Sequence, residues 1–219
     1  MHSKFEFLRC KHTIRIVILF GCVLLPLYLF GMLAEDVVEQ EVFSVDKPIL
    51  LFVHRYASDG LDGIMIFISL TGSAALLVPF NILVFVFLVK RQDRIYASFW
   101  ACAVTGAALL NILGKHVFER SRPDFWPSIM PEASFSFPSG HAMQSMAVVA
   151  GIVTLAWHGR WKIQILLIGI FYVFFVGFSR IYLGVHFPSD IIAGWMASLT
   201  WVVGLGILFG LSNKAKVLF

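Results

Sequence analysis

Long apolar runs alternate with short polar breaks along the whole chain. Six stretches stand out, at about 14–34, 64–89, 95–113, 142–157, 163–183 and 191–211. Their lengths approach or exceed the roughly 20 residues that carry a helix across a bilayer. The pattern predicts an all-α, polytopic membrane protein with six transmembrane helices in a single domain, 1–219. The second stretch is the longest: 63–89 carries no charge and would reach roughly 40 Å as one helix. It must therefore tilt, kink near Gly72 or Pro79, or protrude. Between the first two stretches, Ile49, Leu50, Phe52, Val53 and Tyr56 recur at helical spacing after Pro48. Proline suits a first helical position, so a short helix in the headgroup region is expected there. It would either cap the helix ends or touch substrate.

Composition agrees with lipid as the main solvent. The 219 residues are 59% hydrophobic and 14% charged, against roughly 45–50% and 25% in soluble domains, and mean hydropathy is +0.85. The net charge of +4 is divided among short loops rather than gathered in a stripe, which excludes a nucleic-acid partner. Cys10, Cys22 and Cys102 have no spacing that suggests a disulfide framework or a metal site. There is no long linker, low-complexity tract or internal repeat that would suggest a duplicated transporter. Lys4, Arg9, Lys11 and Arg15 ahead of an apolar run resemble a secretory signal. The run is about 19 residues, beyond the usual 7–15, and leads into Glu35 and Asp36 rather than a small-residue cleavage site. It reads as a retained first span.

The loops alternate in charge. The N-terminus, 90–94, the Arg160/Lys162 turn and the Lys214/Lys216 tail are basic, whereas 35–62 holds Glu35, Asp36, Glu39, Glu41, Asp46, Asp59 and Asp62 against Lys47 and Arg55. The positive-inside rule then makes both termini cytoplasmic and puts 35–62, 114–141 and 180–190 together on the opposite side.

Three polar clusters fall on that opposite side. In the first, Lys115 is followed by Arg122 and Pro123; basic residues at a helix end are commonly snorkelling anchors, but here they oppose the usual bias of the loops. In the second, Pro138, Ser139, Gly140 and His141 open an apolar helix. That is either an N-cap with an interfacial histidine, or an anion site at the positive end of a helix with glycine permitting close approach. In the third, Ser179 and Arg180 precede His186 and Asp190. The last two stand four residues apart, so the carboxylate either caps a helix or orients the imidazole as a nucleophile. Three cations near a membrane are costly singly and far cheaper around one phosphate dianion.

Taken in order, Lys-(six residues)-Arg-Pro, Pro-Ser-Gly-His and Ser-Arg-(five residues)-His-(three residues)-Asp resemble the motif set of the type 2 phosphatidic acid phosphatase superfamily, with no departure at the motif positions. The resemblance covers about 115–190, and the six-span layout extends it over the chain. It implies an integral membrane lipid phosphatase. Lys115, Arg122 and Arg180 would hold the phosphate with help from Ser139 and the Gly140 amide. His186, oriented by Asp190, would form a phosphohistidine, and His141 would act as general acid and then base. It implies no cofactor and no metal, the three cations taking the metal's place. The implied partners are the bilayer and a lipid phosphate such as phosphatidylglycerol phosphate, phosphatidic acid or undecaprenyl diphosphate. Nothing in the pattern specifies an oligomeric state. The expected location is a bacterial inner membrane, with the site facing the periplasm or outer leaflet. Arg120 and His116 are extra basic groups, read as interfacial or as contacts to a second phosphate; Asn111 is read as a helix–helix hydrogen bond, and Trp126 and Trp195 as interface anchors. The rival readings are a small membrane transporter, which would carry ionisable residues at midplane depth, and a non-catalytic lipid-phosphate binder.

Overall fold

The computed structural model describes Val17 and residues 20–39 and 44–211. The basic N-terminus, the start of the first span and the Lys214/Lys216 tail lie outside the described residues. A π-helical turn, Phe20–Leu24, leads into α1 (Leu25–Val38), followed by α2 (Asp46–His54), α3 (Asp59–Thr71), α4 (Ala74–Lys90), α5 (Arg94–Phe118), α6 (Gly140–Ala156), α7 (Lys162–Tyr182) and α8 (Pro188–Leu208). Every regular element among the described residues is helical.

Five stretches are long and apolar enough to cross a bilayer: Phe20–Val38, Asp59–Lys90, Arg94–Phe118, Lys162–Tyr182 and Pro188–Leu208. The sixth expected span, α6, has only 17 residues, or roughly 25 Å. It packs against α5, α7 and α8, and small residues such as Ala142, Ala147, Ala150 and Gly151 let these neighbours approach closely. A helix wrapped by protein on several sides need not match the bilayer, because its neighbours replace lipid. Outward faces carry the apolar load: Phe67, Leu83, Ile168, Phe171 and Leu208 are exposed, as expected where the outside solvent is hydrocarbon.

The long second stretch breaks at Gly72–Ser73, between α3 and α4. Pro79, the other expected kink, is accommodated inside α4. A Cβ on Gly72 would stand 2.5 Å from a methyl of Val176, so the break occurs at a close approach to α7. Beyond it α4 leans on α5, where the Trp100 indole donates to the Asn81 carbonyl at 3.1 Å.

Other boundaries shift modestly. Helix α2 begins at Asp46, two residues before Pro48, and turns Asp46, Leu50 and Val53 toward the bundle while Phe52 and Tyr56 face outward. Helix α5 continues past the expected 113 to Phe118, which puts Lys115 inside its last turn. It stops at Glu119, whose φ of 45° and ψ of 31° form a left-handed C-cap. Trp195 is not an interface anchor: its ring fills the notch left by Gly177 between α7 and α8.

That notch yields a packing test. A Cβ on Gly177 would lie 2.4 Å from the Trp195 ring and 2.7 Å from Ile191, whereas one on Gly204 would meet nothing within 4 Å. Overpacking costs about 1–3 kcal/mol, while replacing a mid-helix glycine gains about 1 kcal/mol. Gly177→Leu is expected to lower the thermal midpoint in detergent, and Gly204→Ala to leave it unchanged or raise it. Equal midpoints for the two variants would contradict this packing.

Candidate active site

The C-terminal ends of α5 and α7 and the N-terminal ends of α6 and α8 meet at one end of the bundle, with the loop 119–139 folded over them. Each sequence-predicted residue is on these pieces. Lys115 comes from the last turn of α5, Arg122 from the loop, Ser139, Gly140 and His141 from the start of α6, Arg180 from the last turn of α7, and Asp190 from the first turn of α8. His186 lies in the 183–187 connection, fully buried.

Lys115, Arg122, Arg180, His141 and His186 converge around one carboxylate that the sequence reading did not single out, Glu132. Arg122 Nη2 donates to its Oε2 at 2.6 Å, Arg180 Nη2 donates to its Oε1, and His141 Nδ1 lies 3.9 Å from the same Oε1. Arg122 is held in place by the Ser134 and Val185 carbonyls at 2.7 and 2.6 Å, and Lys115 donates to Ser134 Oγ at 2.7 Å. Arg180 is wholly buried, donates to Ser69 Oγ of α3 at 2.5 Å, and keeps an Nε–H with no acceptor among the described residues. Two guanidinium groups, each giving one nitrogen to the same carboxylate, make this a cradle for a planar or tetrahedral anion.

His186 adjoins the cradle. Its Nε2 lies 3.1 Å from Arg122 Nη1 and its Nδ1 lies 3.3 Å from Asp190 Oδ2. A guanidinium can only donate, so Nε2 is the accepting nitrogen and Nδ1 carries the proton to Asp190. The lone pair thus points to the cation side. Asp190 is fully buried and receives further donors: Phe187 N at 2.8 Å, the Ser136 hydroxyl, and Arg120 Nη1 at 2.5 Å. The bond from Phe187 N is that of a third helical residue reaching back to its N-cap.

Other expectations change. Arg120 is not an outward cation for a second phosphate. Its guanidinium turns inward and pairs with Asp190 and with Asp46 of α2, the latter at 3.0 Å. Ser139 is buried and N-caps α6, its Oγ accepting from Ala142 N at 3.5 Å, while its own amide donates to the Asp190 carbonyl at 3.2 Å. The cap takes the Ala142 amide and leaves those of Gly140 and His141 without intrahelical acceptors. A Cβ on Gly140 would come within 3.1 Å of Asn111 Oδ1, so packing against α5 also favours glycine there. Asn111 donates to the Pro138 carbonyl at 2.9 Å, tying α5 to the start of α6. Trp126 stacks on His54 with ring centroids 3.9 Å apart and covers Gly184, whose φ of +70° suits glycine. It clamps α2 to the loop rather than serving as a plain anchor.

Burial dominates the His186 equilibrium and pushes its pKa down to about 4, against the opposing pull of Asp190 and with further lowering from Arg122 and Arg180. The imidazole is therefore neutral across the physiological range. Burial acts to raise the Glu132 pKa, but Arg180, His186, Arg122 and His141 outweigh it and hold the carboxyl below its ordinary value. An anion is the favoured occupant of the cradle.

Sequence reasoning missed Glu132, Ser136, Ser69 and Asp46. The one available signal for Glu132 was its isolation: between Asp124 and Asp190 it is the single acidic residue amid the cation clusters. Asp46 is one of several acidic residues in 35–62 and nothing local distinguishes it.

Comparison with known proteins agrees with this geometry. Residues 95–213 match the family model described as the PAP2 superfamily. The chain is 32% identical over 176 residues to an undecaprenyl-diphosphatase of Sulfolobus acidocaldarius, covering 77% of this chain and 80% of the relative. It is also 32% identical over 179 residues to phosphatidylglycerophosphatase B of Bacillus subtilis, covering 78% and 86%. The crystal structure of a transmembrane PAP2 type phosphatidylglycerolphosphate phosphatase from Bacillus subtilis superposes with a TM-score of 0.72 at 28% identity, over 86% of this chain and 97% of that one. The LpxE structure from Aquifex aeolicus gives 0.61 at 26% identity, over 76% and 95%. With the motif residues gathered at one end of a bundle of apolar helices, the chain belongs to the PAP2 superfamily and is a multi-pass membrane phosphatase of that family.

Proposed function

We propose that the chain, acting as one membrane-embedded domain over 1–219, removes the terminal phosphate from a lipid phosphomonoester or diphosphate through a phosphohistidine on His186. The observation that carries this reading is the Glu132 carboxylate gripped by Arg122 and Arg180 beside His141. The chain's own oxyanion sits where a substrate phosphate would, with the His186 nucleophile next to Arg122.

In this scheme the phosphate displaces Glu132 and is held by Arg122 and Arg180, with Lys115 and the amides of Gly140 and His141 completing the grip. Ser139 contributes by capping the helix that presents those amides. His186 Nε2 attacks phosphorus, the N–P bond forms as the P–O bond to the lipid breaks, and His141, protonated beside the bound phosphate dianion, gives that proton to the departing oxygen. His141 then takes a proton from water, whose oxygen attacks phosphorus. The N–P bond breaks and inorganic phosphate leaves. Fixed cations in a site with little water stabilise charge on the transferring group strongly, and Lys115, Arg122 and Arg180 supply it, so no metal or cofactor is assigned a step.

A lipid substrate is supported by a cavity of about 450 Å³ between α4, α6 and α7, lined by Thr71, Leu76, Phe80, Val148, Ile152 and Tyr172. Its lining residue Thr71 adjoins Gly72, where an added Cβ would be 3.5 Å from the His141 ring. A headgroup in the cradle can therefore keep a hydrocarbon chain in apolar surroundings. The names of the relatives make phosphatidylglycerol phosphate and undecaprenyl diphosphate candidates, and the motif resemblance adds phosphatidic acid. Loop charges favour cytoplasmic termini and a periplasmic or outer-leaflet site in a bacterial inner membrane. The clustering of buried ionisable groups at one bundle end, rather than at mid-depth, favours a phosphatase over a transporter.

Purified protein is expected to release inorganic phosphate from at least one of these three lipids, and His186→Ala to release none; release by the variant at the wild-type rate would sink the reading. Histidine-selective ¹⁵N NMR should find His186 as the Nδ1–H tautomer with a midpoint of about 4, so that the attacking nitrogen is free above that pH and lost below it. A midpoint near 6.5 would contradict the buried nucleophile. Because an internal competitor reduces apparent affinity by the fraction of open sites, Glu132→Gln is expected to tighten vanadate inhibition by about threefold to tenfold. Weaker inhibition would mean that Glu132 builds the cradle rather than occupying it.

A further inference from the structure

We propose that Asp46 and Arg120 are a positioning pair for the phosphoryl-transfer step, through which the interfacial helix α2 fixes the nucleophile. The inference rests on His186 being that nucleophile. Asp46 is wholly buried, although α2 lies at the bundle's edge. Its carboxylate accepts from Ser189 N at 3.0 Å, from Ser189 Oγ at 2.5 Å and from Arg120 Nη2 at 3.0 Å. The other arm of the Arg120 fork donates to Ser189 Oγ at 2.7 Å and to Asp190 Oδ1 at 2.5 Å, and the guanidinium lies over the Phe187 ring at 4.2 Å.

The two Asp190 oxygens thus have different duties. Oδ2 takes His186 Nδ1, Phe187 N and the Ser136 hydroxyl, while Oδ1 takes Arg120. With Arg120 on Oδ1, the carboxylate cannot rotate about its last bond without losing a charged hydrogen bond, and Oδ2 stays under His186. Asp46 holds the far side of the same planar fork, which lysine cannot imitate. Two buried carboxylates are bridged by one guanidinium, so losing Arg120 leaves two carboxylates without their cation, and losing either carboxylate leaves one arm of the fork without its charged acceptor. Asp46 lies outside the 95–213 stretch that matches the family model, so this support comes from the N-terminal part of the chain. Neither residue enters the Glu132 cradle, which makes them positioning residues rather than groups that touch substrate.

The test uses the full chain purified in detergent, phosphatidic acid, phosphatidylglycerol phosphate and undecaprenyl diphosphate in parallel as the probes, phosphate release from whichever the wild type hydrolyses fastest as the rate, and vanadate as the report on the cradle. Geometry errors of about 1 Å cost up to a hundredfold in rate. Arg120→Gln is expected to lower kcat about a hundredfold and the near-isosteric Asp46→Asn about tenfold. KM and the vanadate inhibition constant should change less than about twofold, since the cradle is untouched. The double variant should fall no further than Arg120→Gln, because the two act as one unit. Unchanged kcat in either single variant, multiplicative losses in the double, or vanadate inhibition lost in step with kcat would each overturn the pair. Wild-type protein inert toward all three lipids, or a His186→Ala variant as active as wild type, would instead fail the underlying reading.

Discussion

A guanidinium buried inside a membrane bundle has to be balanced, and Arg180 sets that demand for this protein. It is fully enclosed in the last turn of α7, with Ser69 on one arm and Glu132 on the other. Glu132 belongs to a loop without regular structure, so the partner of this fixed cation comes from outside the helices. A phosphate dianion can replace a carboxylate there without exposing the arginine, because both offer oxygens to the same forks. In the proposed scheme the cost of burying the positive charge is thereby met with or without substrate.

Below this exchangeable layer lies a permanent one. Asp190, Arg120, Ser189 and Asp46 are joined by charged hydrogen bonds that have no exchangeable member, and they sit at the first turn of α8 where the backbone also needs acceptors. His186 stands between the two layers, with one nitrogen in each. A neutral, fixed imidazole facing cations on its lone-pair side is suited to meet phosphorus, and the division of labour explains why so many charges coexist in a small volume.

Much of this was legible from residue order. The apolar runs gave the spans, because hydrocarbon demands about 20 apolar residues per crossing whatever the fold. The three motif clusters gave the site because cations and histidines at helix mouths are too expensive to be accidental. What stayed hidden depended on distance in the sequence. Asp46 meets Ser189 across 143 positions and Glu132 meets Arg180 across 48, and no local period encodes such pairs. Arg120 was misread for the same reason: its spacing from Lys115 does not reveal that Asp46 and Asp190 both lie inward of it. The shortness of the 142–157 stretch was legible, but its enclosure by α5, α7 and α8 was not, since lipid-facing and protein-facing apolar positions look alike in composition.

The break at Gly72–Ser73 has a structural consequence of its own. A single crossing of 32 residues, Asp59–Lys90, serves two different neighbours: its first half is fitted to α7 and the wall beside His141, and its second half to α5. The two halves are therefore decoupled as constraints on the sequence. The lipid-facing side of α4 is free to drift among aliphatic residues to suit the host membrane, while the hinge and the turn before it must keep their shape for the chemistry next door.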